Sequence, residues 1–219
     1  MTKPTITVID YGLGNLFSVS RAIEYCGGIP EITSDPACVR GSQSLILPGV
    51  GAFGKGMENL RERRLDTAIK EYVRGGRPLL GICLGMQLLF DESEEFGRHA
   101  GLGLIPGRVL SIPTSGLDGR PQRVPHVGWA EIAPARRSNS WSAPILDGVP
   151  PGVSMYFVHS FYAACADAPC DVADCQYGGH IIPAVVRDGL VSGCQFHPEK
   201  SGPAGLKILA NFMHQTVIA

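Results

Sequence analysis

One stretch of the chain, Gly81-Ile82-Cys83-Leu84-Gly85, lies where an apolar strand starting at Pro78 turns into a helical pattern. A cysteine with a glycine two residues before it and another two residues after it matches the nucleophile elbow GxSxG, with cysteine in place of serine. Strand and helix approach so closely at such a turn that larger side chains at the glycine positions would clash. The turn also points the sulfur at the helix N-terminus, which favours thiolate over thiol. A buried structural cysteine in a βα turn fits the same stretch, so a base must be found to decide.

A candidate base lies in the stretch Gln195-Phe196-His197-Pro198-Glu199, which follows a strand around Leu190–Cys194. Residues i and i+2 face the same side of an extended chain, so Glu199 can hold the His197 imidazole in the tautomer whose other nitrogen takes a proton from Cys83. A surface turn at a strand end explains this stretch when it stands alone. Together with the cysteine elbow, it predicts a nucleophile, a base and an orienting carboxylate.

Strand, glycine-rich turn and helix follow one another along the first part of the chain. β-rich or apolar runs lie at 5–9, 44–47 and 78–83, and apolar residues at helical spacing mark helices over 16–26 and 57–73. This alternation predicts right-handed crossovers and a mostly parallel sheet with helices on both faces.

From about Gly107 the pattern changes. Strand-like segments follow one another with turns and no obvious helix between them, which predicts an added antiparallel layer, and a helix over Pro203–Val217 closes the chain. The predicted fold class is therefore α/β, with a mostly parallel central sheet flanked by helices and an added antiparallel layer, in one domain over residues 1–219. The strand-like segments are 108–112, 123–132, 155–164, 171–175, 181–187 and 191–196.

Composition indicates a globular protein. The 219 residues are 44% hydrophobic and 18% charged, which is enough for a sizeable core and excludes intrinsic disorder. The 19 Lys and Arg against 20 Asp and Glu give a net charge of −1, so we expect no nucleic-acid-binding surface. The sequence opens without a signal-peptide pattern and has no run of 18 apolar residues. We therefore expect a soluble, cytoplasmic protein that does not bind membranes.

The cysteines predict neither a metal site nor disulfides. They are odd in number and form no CxxC pair, and the regular spacing of Cys165, Cys170 and Cys175 is not a known ligand spacing. Free thiols in a reducing compartment fit this pattern best, with no metal or other cofactor. The 7 cysteines are Cys26, Cys38, Cys83, Cys165, Cys170, Cys175 and Cys194.

A glycine-rich loop opens two nucleotide-binding alternatives. Gly49-Val50-Gly51-Ala52-Phe53-Gly54 matches GxGxxG, and continuing to Lys55 it also fits GxxxxGK. A P-loop needs Ser or Thr after the lysine, where this chain has Gly56. A dinucleotide site needs an acidic residue at the end of the next strand, where this chain has the predicted helix 57–73. The glycines fit better with backbone N–H groups that approach a small ligand or a developing charge.

The other five histidines carry weaker signals. His126 in Pro125–Trp129 and His159 in Tyr156–Phe161 lie among aromatic groups in strands and turns, and each fits either a pocket or a partner surface. The remaining three fit surface or helix-end positions. These are His99, His180 and His214.

The chain resembles a known enzyme family. Gly81-Ile82-Cys83-Leu84-Gly85-Met86-Gln87 together with Gln195-Phe196-His197-Pro198-Glu199-Lys200-Ser201 is similar to the class I, or triad, glutamine amidotransferases. The stretches Pro48–Phe53, Pro125–Trp129 and Tyr156–Phe161 narrow the resemblance to the glutaminase subunits of imidazole glycerol phosphate synthases. The similarity runs from Ile9 to the final helix.

The resemblance implies hydrolysis of L-glutamine to glutamate and ammonia. The ammonia would pass to a separate (β/α)₈-barrel synthase subunit, which forms the imidazole ring in histidine biosynthesis. The resemblance makes Cys83 the nucleophile, His197 the base and then the acid, and Glu199 the residue that orients it.

The resemblance also implies three sets of supporting residues. They comprise an oxyanion hole, a glutamine-binding set and a set at the interface with the synthase subunit. The oxyanion hole comprises Val50, Gly51 and Leu84. The glutamine-binding set comprises Gly51, Gln87, His159, Ser160 and Phe161. The interface set comprises Asn15, Trp129, Tyr156 and Lys200.

One position departs from the family pattern. Ala130 stands where the family usually has asparagine after the tryptophan, and this change would alter the surface facing the barrel. A paralogous glutaminase that supplies ammonia for surface-sugar modification therefore stays open as an alternative. A catalytically silent glutamine- or partner-binding module and a nucleotide-binding domain are the alternatives from other classes.

Overall fold

The computed structural model describes residues 3–135, 141, 143–166 and 170–215. Its first part alternates strands and helices, as the sequence predicts. The elements are β1 (Thr5–Ile9), α1 (Leu16–Tyr25), β2 (Ile29–Thr33), α2 (Pro36–Gly41), β3 (Leu45–Gly49), α3 (Phe53–Glu62), α4 (Leu65–Arg74), β4 (Leu79–Cys83) and α5 (Leu84–Leu88).

The second part consists mainly of strands and ends with a helix. The elements are β5 (Phe90–Ser93), β6 (His99–Ala100), β7 (Ile105–Ser111), β8 (His126–Pro134), β9 (Ser154–His159), β10 (Phe161–Cys165), β11 (Asp171–Tyr177), β12 (His180–Asp188), β13 (Val191–Cys194) and α6 (Gly202–His214).

The main sheet has nine strands in the order β2-β1-β3-β4-β13-β12-β11-β8-β9. The strands from β2 to β13 in this order pair in parallel, and those from β12 onward pair antiparallel. A second sheet of four strands has the order β10-β7-β5-β6. The predicted α/β fold with a parallel sheet and added antiparallel strands is therefore confirmed.

The parallel strands bring three separate stretches of sequence to one edge of the sheet. Gly49 at the end of β3 pairs with Cys83 at the end of β4. On the other side of β4, Cys194 at the end of β13 pairs with Ile82. The glycine-rich loop, the cysteine elbow and the stretch before His197 therefore all leave the sheet side by side, at the strand ends where ligands bind in parallel α/β sheets.

Helices cover both faces of the parallel strands. In β3, Ile46 belongs to a hydrophobic cluster shared with α1 and α6, whereas Leu45 and Leu47 belong to a second cluster shared with α3 and α4. All three side chains are fully buried. Strands that are buried on both faces are continuously apolar, which explains why 44–47 and 78–83 show no polar alternation.

The predicted helix 57–73 is in fact two helices. Arg64 separates α3 from α4 and adopts a left-handed backbone with φ 57°. Leu60 before this turn and Leu65 after it pack into the same hydrophobic cluster. The apolar spacing therefore continues through the turn, and periodicity alone does not reveal it.

Four short elements were not predicted from the sequence: β2, α2, β5 and β6. β2 lies at the edge of the main sheet, and none of its residues is fully buried. A strand with so little burial carries no clear apolar pattern. The predicted closing helix corresponds to α6, which ends at His214, and residues 216 and 217 of the predicted helix lie outside the described residues.

The expectation that all cysteines are free thiols is wrong. Cys165 at the end of β10 and Cys170 just before β11 form a disulfide, with their Cα atoms 6.0 Å apart. That separation is within the range that a disulfide bridges. A sequence separation of five residues does not reveal whether the chain folds back far enough to bring two cysteines together. Cys175, the third cysteine of this series, is buried and free.

Two further observations concern membrane-spanning helices and metal sites. Within the ranges that the structure describes, no helix is long and apolar enough to cross a membrane. The same residues include no group of three or more His, Cys, Asp or Glu side chains that could hold a metal ion.

The two glycines of the elbow allow β4 and α5 to pack against β3. A Cβ atom on Gly81 would lie 2.7 Å from the Gly85 carbonyl oxygen, and a Cβ atom on Gly85 would overlap the carbonyl group of Leu47. Both obstacles are backbone atoms, which cannot rotate away as a side chain can. The predicted close approach of strand and helix at this turn is therefore present.

We expect Gly85→Ala to lower the free energy of unfolding by about 3 kcal/mol, because β3 and α5 must move apart. Gly41→Ala is the matched control, since a Cβ atom there meets nothing within 4 Å. The control should change stability by less than about 1 kcal/mol. Urea unfolding of both variants measures the difference, and equal losses would contradict this account of the turn.

Candidate active site

Cys83 occupies a strained backbone position at the end of the central strand β4. Its φ of 54° and ψ of −111° are unusual for a residue with a side chain, and such a conformation costs on the order of 1–3 kcal/mol. The residue is 6% exposed. This strain at a cysteine in a strand-to-helix turn is what a nucleophile elbow requires.

His197 and Glu199 form a buried pair next to β4. His197 Nδ1 lies 2.8 Å from Glu199 Oε1, and the two side chains are 3% and 0% exposed. Pro198 starts a 3₁₀ turn that returns Glu199 to the histidine. With Nδ1 directed at the carboxylate, Nε2 is the ring nitrogen available for proton transfer.

The electrostatic surroundings of His197 favour its protonated form. Burial alone lowers the pKa of the imidazole, but the interactions with the neighbouring Cys83 and Glu199 outweigh burial and raise the pKa to about 10. The surroundings therefore allow His197 to hold a proton next to the Cys83 sulfur and the Glu199 carboxyl group. This arrangement is chemically able to supply a nucleophile, a proton acceptor and a carboxylate that orients the acceptor.

A pocket of about 260 Å³ opens in front of the sulfur. It brings together all the residues that the sequence predicted for the oxyanion hole and for glutamine binding. It also includes three residues that the sequence did not predict, Glu95, Pro125 and Val158. The lining residues are Val50, Gly51, Cys83, Leu84, Gln87, Glu95, Pro125, Val158, His159, Ser160, Phe161 and His197.

Gln87 is held by two hydrogen bonds on one side of this pocket. Its Nε2 donates to the Phe161 carbonyl oxygen at 2.9 Å and to Gln195 Oε1 at 3.0 Å. Both protons of the amide nitrogen are then used, so Oε1 is the atom left to accept a hydrogen bond from a ligand. Gln87 is thus oriented before any ligand arrives.

In the glycine-rich loop, one of the N–H groups predicted for an oxyanion hole is bound elsewhere. The Val50 N–H donates to the Leu13 carbonyl oxygen at 3.1 Å, so it is not directed into the pocket in this structure. Gly51 follows with φ 103°, a backbone conformation that glycine adopts at no steric cost. Leu84, the first residue of α5, lines the pocket, and its role as an oxyanion donor stays a prediction.

Glu95 is the functional candidate that the sequence did not reveal. It follows β5 and is 8% exposed, and its Oε2 accepts a hydrogen bond from the Phe53 N–H at 2.5 Å. In the sequence it stands next to Glu94 in a polar turn, and no local pattern distinguishes the buried carboxylate from the exposed one. Its position predicts recognition of a positively charged group, such as the ammonium of an amino acid.

His126 and His159 form a second buried pair. His126 Nδ1 lies 3.2 Å from His159 Nε2, and His159 Nδ1 lies 2.8 Å from the Phe161 carbonyl oxygen. His126 also stacks on Tyr177 with ring centroids 4.0 Å apart. Burial lowers the pKa of both histidines, that of His159 to about 4. Both rings are therefore neutral at pH 7, and they hold the strand end that borders the pocket.

The other histidines largely match their predicted positions. His180 lies within 2.8 Å of the Ser115 carbonyl oxygen near the surface, and His214 lies near the end of α6. His99 differs, because its ring packs against the α carbon of Gly54, where a Cβ atom would be only 2.8 Å away.

Two of the predicted partner residues, Trp129 and Tyr156, lie on an exposed apolar surface of β8 and β9. Trp129 is 59% exposed and packs edge-on against Tyr156, with ring centroids 5.9 Å apart. Val127 and Val158, 57% and 37% exposed, continue the surface. We call Val127, Trp129, Tyr156 and Val158 the apolar face. Exposed patches of this kind are typical of protein interfaces.

Three further positions bear on the predicted partner surface. Lys200 is exposed at the end of the 3₁₀ turn. Asn15 has a structural role as well, since its side chain caps α1 by accepting a hydrogen bond from the Ser18 N–H at 3.4 Å. Ala130 packs partly buried against a hydrophobic cluster, so its side chain is not part of the apolar face.

The neutral histidine pair should make stability depend on pH. Because the pKa of His159 is about 4 in the folded protein and about 6.5 in an unfolded chain, only the unfolded state binds this proton between those values. The free energy of unfolding therefore falls as the pH drops through this window. His197, whose pKa is raised, is protonated in both states below pH 6 and does not contribute there.

We expect wild type to lose about 1–2 kcal/mol more than His159→Gln between pH 7 and pH 5. Urea unfolding at the two pH values measures this difference. His180→Gln is the control for loss of a histidine near the surface and should behave as wild type. Equal losses in wild type and His159→Gln would show that the histidine is not kept neutral by the fold.

Comparison with known proteins agrees with the geometry. Residues 7–216 match the family model described as glutamine amidotransferase class-I. The imidazole glycerol phosphate synthase subunit HisH of Geobacillus sp. (strain WCH70) is 49% identical over 207 residues, which cover 94% of this chain and 95% of that protein. The subunit HisH of Syntrophotalea carbinolica is 48% identical over 208 residues, which cover 94% of this chain and 98% of that protein.

Solved structures share the fold at low sequence identity. The structure of PurLQS from Thermotoga maritima superimposes with a TM-score of 0.76 at 20% identity, and the match covers 98% of this chain and 99% of that chain. The resemblance inferred from the stretches around Cys83 and His197 is thus confirmed. The chain belongs to the class I glutamine amidotransferase family.

Proposed function

We propose that this chain is the glutaminase subunit of a cytoplasmic imidazole glycerol phosphate synthase. It hydrolyses L-glutamine at Cys83, His197 and Glu199 and passes the ammonia to a (β/α)₈-barrel synthase subunit for histidine biosynthesis. The observation that carries the proposal is the strained Cys83 beside the buried His197–Glu199 pair, in a pocket that also holds an anionic side chain. The relatives named as HisH subunits support the choice of pathway.

Glutamine would bind through groups that match its two ends. The Glu95 carboxylate would pair with the α-ammonium of the substrate, since it is the acidic side chain among the described lining residues. Gln87 Oε1 and the backbone of residues 159–161 would accept and donate the remaining hydrogen bonds. These contacts place the side-chain amide of the substrate against the Cys83 sulfur.

The reaction then proceeds in two stages. His197 takes the proton of the Cys83 thiol, and the sulfur attacks the amide carbon of glutamine to form a tetrahedral oxyanion. When this species collapses, its C–N bond breaks, His197 gives the proton to the departing nitrogen, and ammonia leaves a γ-glutamyl thioester. His197 next takes a proton from water, whose oxygen attacks the thioester carbon. The C–S bond then breaks, His197 returns the proton to the Cys83 sulfur, and glutamate is released.

The oxyanion hole would draw on Leu84 and the glycine-rich loop. One donor is the Leu84 N–H at the start of α5, and the other is an N–H of the loop at Val50 or Gly51. The Val50 N–H is bound to Leu13 here, so the peptide plane before it must rotate to contribute. Because Gly49 has no Cβ atom, it can adopt the changed backbone angle that this rotation requires.

The synthase subunit would dock on the apolar face, with Asn15 and Lys200 at its margin. Docking that favours the rotated peptide would raise glutaminase activity, since one oxyanion donor contributes about 10²–10³ in rate. Ammonia would then cross the interface near Trp129 and Tyr156 without meeting solvent.

Two alternatives receive less support. A silent glutamine-binding module has no need of a strained cysteine beside a buried His–Glu pair. Nucleotide phosphates at the glycine-rich loop would compete for space with the elbow, because Gly49 is in close contact with Leu84 and Tyr11. A paralogue in surface-sugar modification would share the glutaminase chemistry and differ in the partner that it activates.

We expect Cys83→Ala to abolish glutamine hydrolysis while the fold and ammonia-dependent synthase turnover remain, because no thioester can form without the sulfur. His197→Asn should be nearly as damaging, and Glu199→Gln should cost less, since the orienting carboxylate is the least essential member of such triads. Cys38→Ala, which removes an exposed thiol, is the control. Steady-state assays give the order of effects, and substantial activity in Cys83→Ala would disprove the assignment.

We expect the isolated chain to have a kcat/KM for glutamine at least about 100-fold below that of the complex with its synthase subunit and synthase ligand. Trp129→Ala should raise the synthase concentration needed for half-maximal activation. Tyr25→Ala is its control, because Tyr25 is 80% exposed at the far end of α1 from Asn15. Comparable kcat/KM in the free and complexed chain would exclude the proposed activation.

A further inference from the structure

A buried chain of hydrogen bonds leads from the histidine pair to the proposed nucleophile. His126 and His159 connect to the Phe161 carbonyl oxygen, which also accepts from Gln87 Nε2. Gln87 donates in addition to Gln195 Oε1 at 3.0 Å, and Gln195 Nε2 lies 3.9 Å from Cys83 Sγ. Gln195 is therefore the residue of this hydrogen-bond network that contacts the sulfur.

The direction of each hydrogen bond in this network follows from the neighbouring donors and acceptors. A carbonyl oxygen only accepts, so Gln87 must present its amide nitrogen to Phe161. The same nitrogen then donates to the oxygen of the Gln195 carboxamide. Since that oxygen faces Gln87, the Gln195 nitrogen must face the sulfur, where it donates.

Gln195 is fully buried, with 0% of its surface exposed. A buried carboxamide costs free energy unless both of its ends are paired. Here both ends are paired with residues of the proposed site. The oxygen accepts from Gln87, which would orient glutamine, and the nitrogen faces Cys83, the proposed nucleophile. Gln195 also precedes His197 by two residues, so the two side chains approach the sulfur from the same segment.

The groups around the sulfur favour different protonation states. The Val158 carbonyl oxygen lies 3.8 Å from Cys83 Sγ and can accept a hydrogen bond only from the neutral thiol. The N–H of Gln195 is a donor, and a donor stabilises the thiolate. The Gln195 amide therefore favours the thiolate, whereas the Val158 carbonyl favours the neutral thiol.

We propose that Gln195 is a positioning residue of the glutaminase site with two separable tasks. Its N–H stabilises the Cys83 thiolate, and its carbonyl oxygen holds the Gln87 amide in the orientation that receives glutamine. The inference rests on the proposed role of Cys83 as nucleophile, and it adds a residue outside the Cys-His-Glu triad.

Two variants separate the tasks. Gln195→Glu keeps an oxygen that accepts from Gln87 but replaces the donor that faces the sulfur. Gln195→Met removes both functions at similar volume. Gln43→Glu, at an exposed position, is the matched control for the same change of charge.

The first measurement is alkylation by iodoacetamide, followed at the Cys83 peptide by mass spectrometry at pH 7. The exposed thiol of Cys38 in the same sample is the internal standard for the reagent. We expect the ratio of the Cys83 rate to the Cys38 rate to fall about tenfold in both Gln195 variants, the effect of one hydrogen bond to a charged group. The ratio should stay at the wild-type value in Gln43→Glu.

The second measurement is glutaminase kinetics of the complex with the synthase subunit. We expect kcat to fall about tenfold in both Gln195 variants. KM for glutamine should stay near the wild-type value in Gln195→Glu and rise about tenfold in Gln195→Met, where Gln87 loses its partner.

An unchanged alkylation ratio in a folded Gln195 variant would overturn the proposal, even if its kinetics change. Equal KM values in the two variants would overturn the second task. Urea unfolding checks the fold, and Gln195→Glu, which is nearly isosteric, decides the question if Gln195→Met does not fold. Alkylation does not require glutamine turnover, so an unchanged alkylation ratio counts against the role of Gln195 and not against glutaminase activity. The proposed glutaminase activity is tested separately by Cys83→Ala.

Discussion

The close approach of backbone to backbone at the end of β4 is the constraint on which the rest of the site depends. Gly85 packs directly on the Leu47 carbonyl group, and Gly49 packs on Leu84. This contact forces the chain to turn within one residue, and Cys83 takes up the turn with φ 54°. The strain is held by the buried strand beneath it, in which Leu80 and Ile82 are within 1% of full burial.

The same sheet geometry brings the proposed base, His197, to the proposed nucleophile, Cys83. β13 is parallel to β4 and in register with it, so the chain leaving Cys194 emerges beside Cys83. Gln195 and His197 therefore reach the sulfur from the end of a neighbouring strand, and no long connecting loop is needed to bring them there. A site assembled from strand ends inherits the rigidity of the sheet, which explains how a pair as buried as His197 and Glu199 can be held at 2.8 Å.

The sequence could predict the parts of this arrangement that depend on local pattern. The elbow around Cys83, the pair at His197 and Glu199, and the alternation of strands and helices each follow from residues close together in the chain. The parts that depend on distant contacts could not be predicted in this way. Glu95 becomes a pocket residue only because the turn after β5 lies against the start of α3. The Cys165–Cys170 disulfide depends on the end of β10 lying close to the start of β11.

Some predictions were limited by the ambiguity of a single pattern. Apolar spacing continues across Arg64, so one helix was predicted where two are found. The glycine-rich loop was assigned N–H donors as a group, whereas the Val50 N–H is bound to the Leu13 carbonyl oxygen. Periodicity and composition describe which residues are buried, but the direction of one peptide plane depends on the particular backbone group opposite it.

The strand β9 connects the apolar face with the pocket. Its residues alternate, so Phe157 and His159 are buried while Val158 is exposed on the apolar face. The pairing with β8 places Val127 opposite Val158 and His126 opposite His159. The Val158 carbonyl oxygen lies 3.8 Å from the sulfur of Cys83. A protein that packs on the apolar face would therefore contact the same strand that borders Cys83, and its effect on the pocket would need to cross only the thickness of one strand.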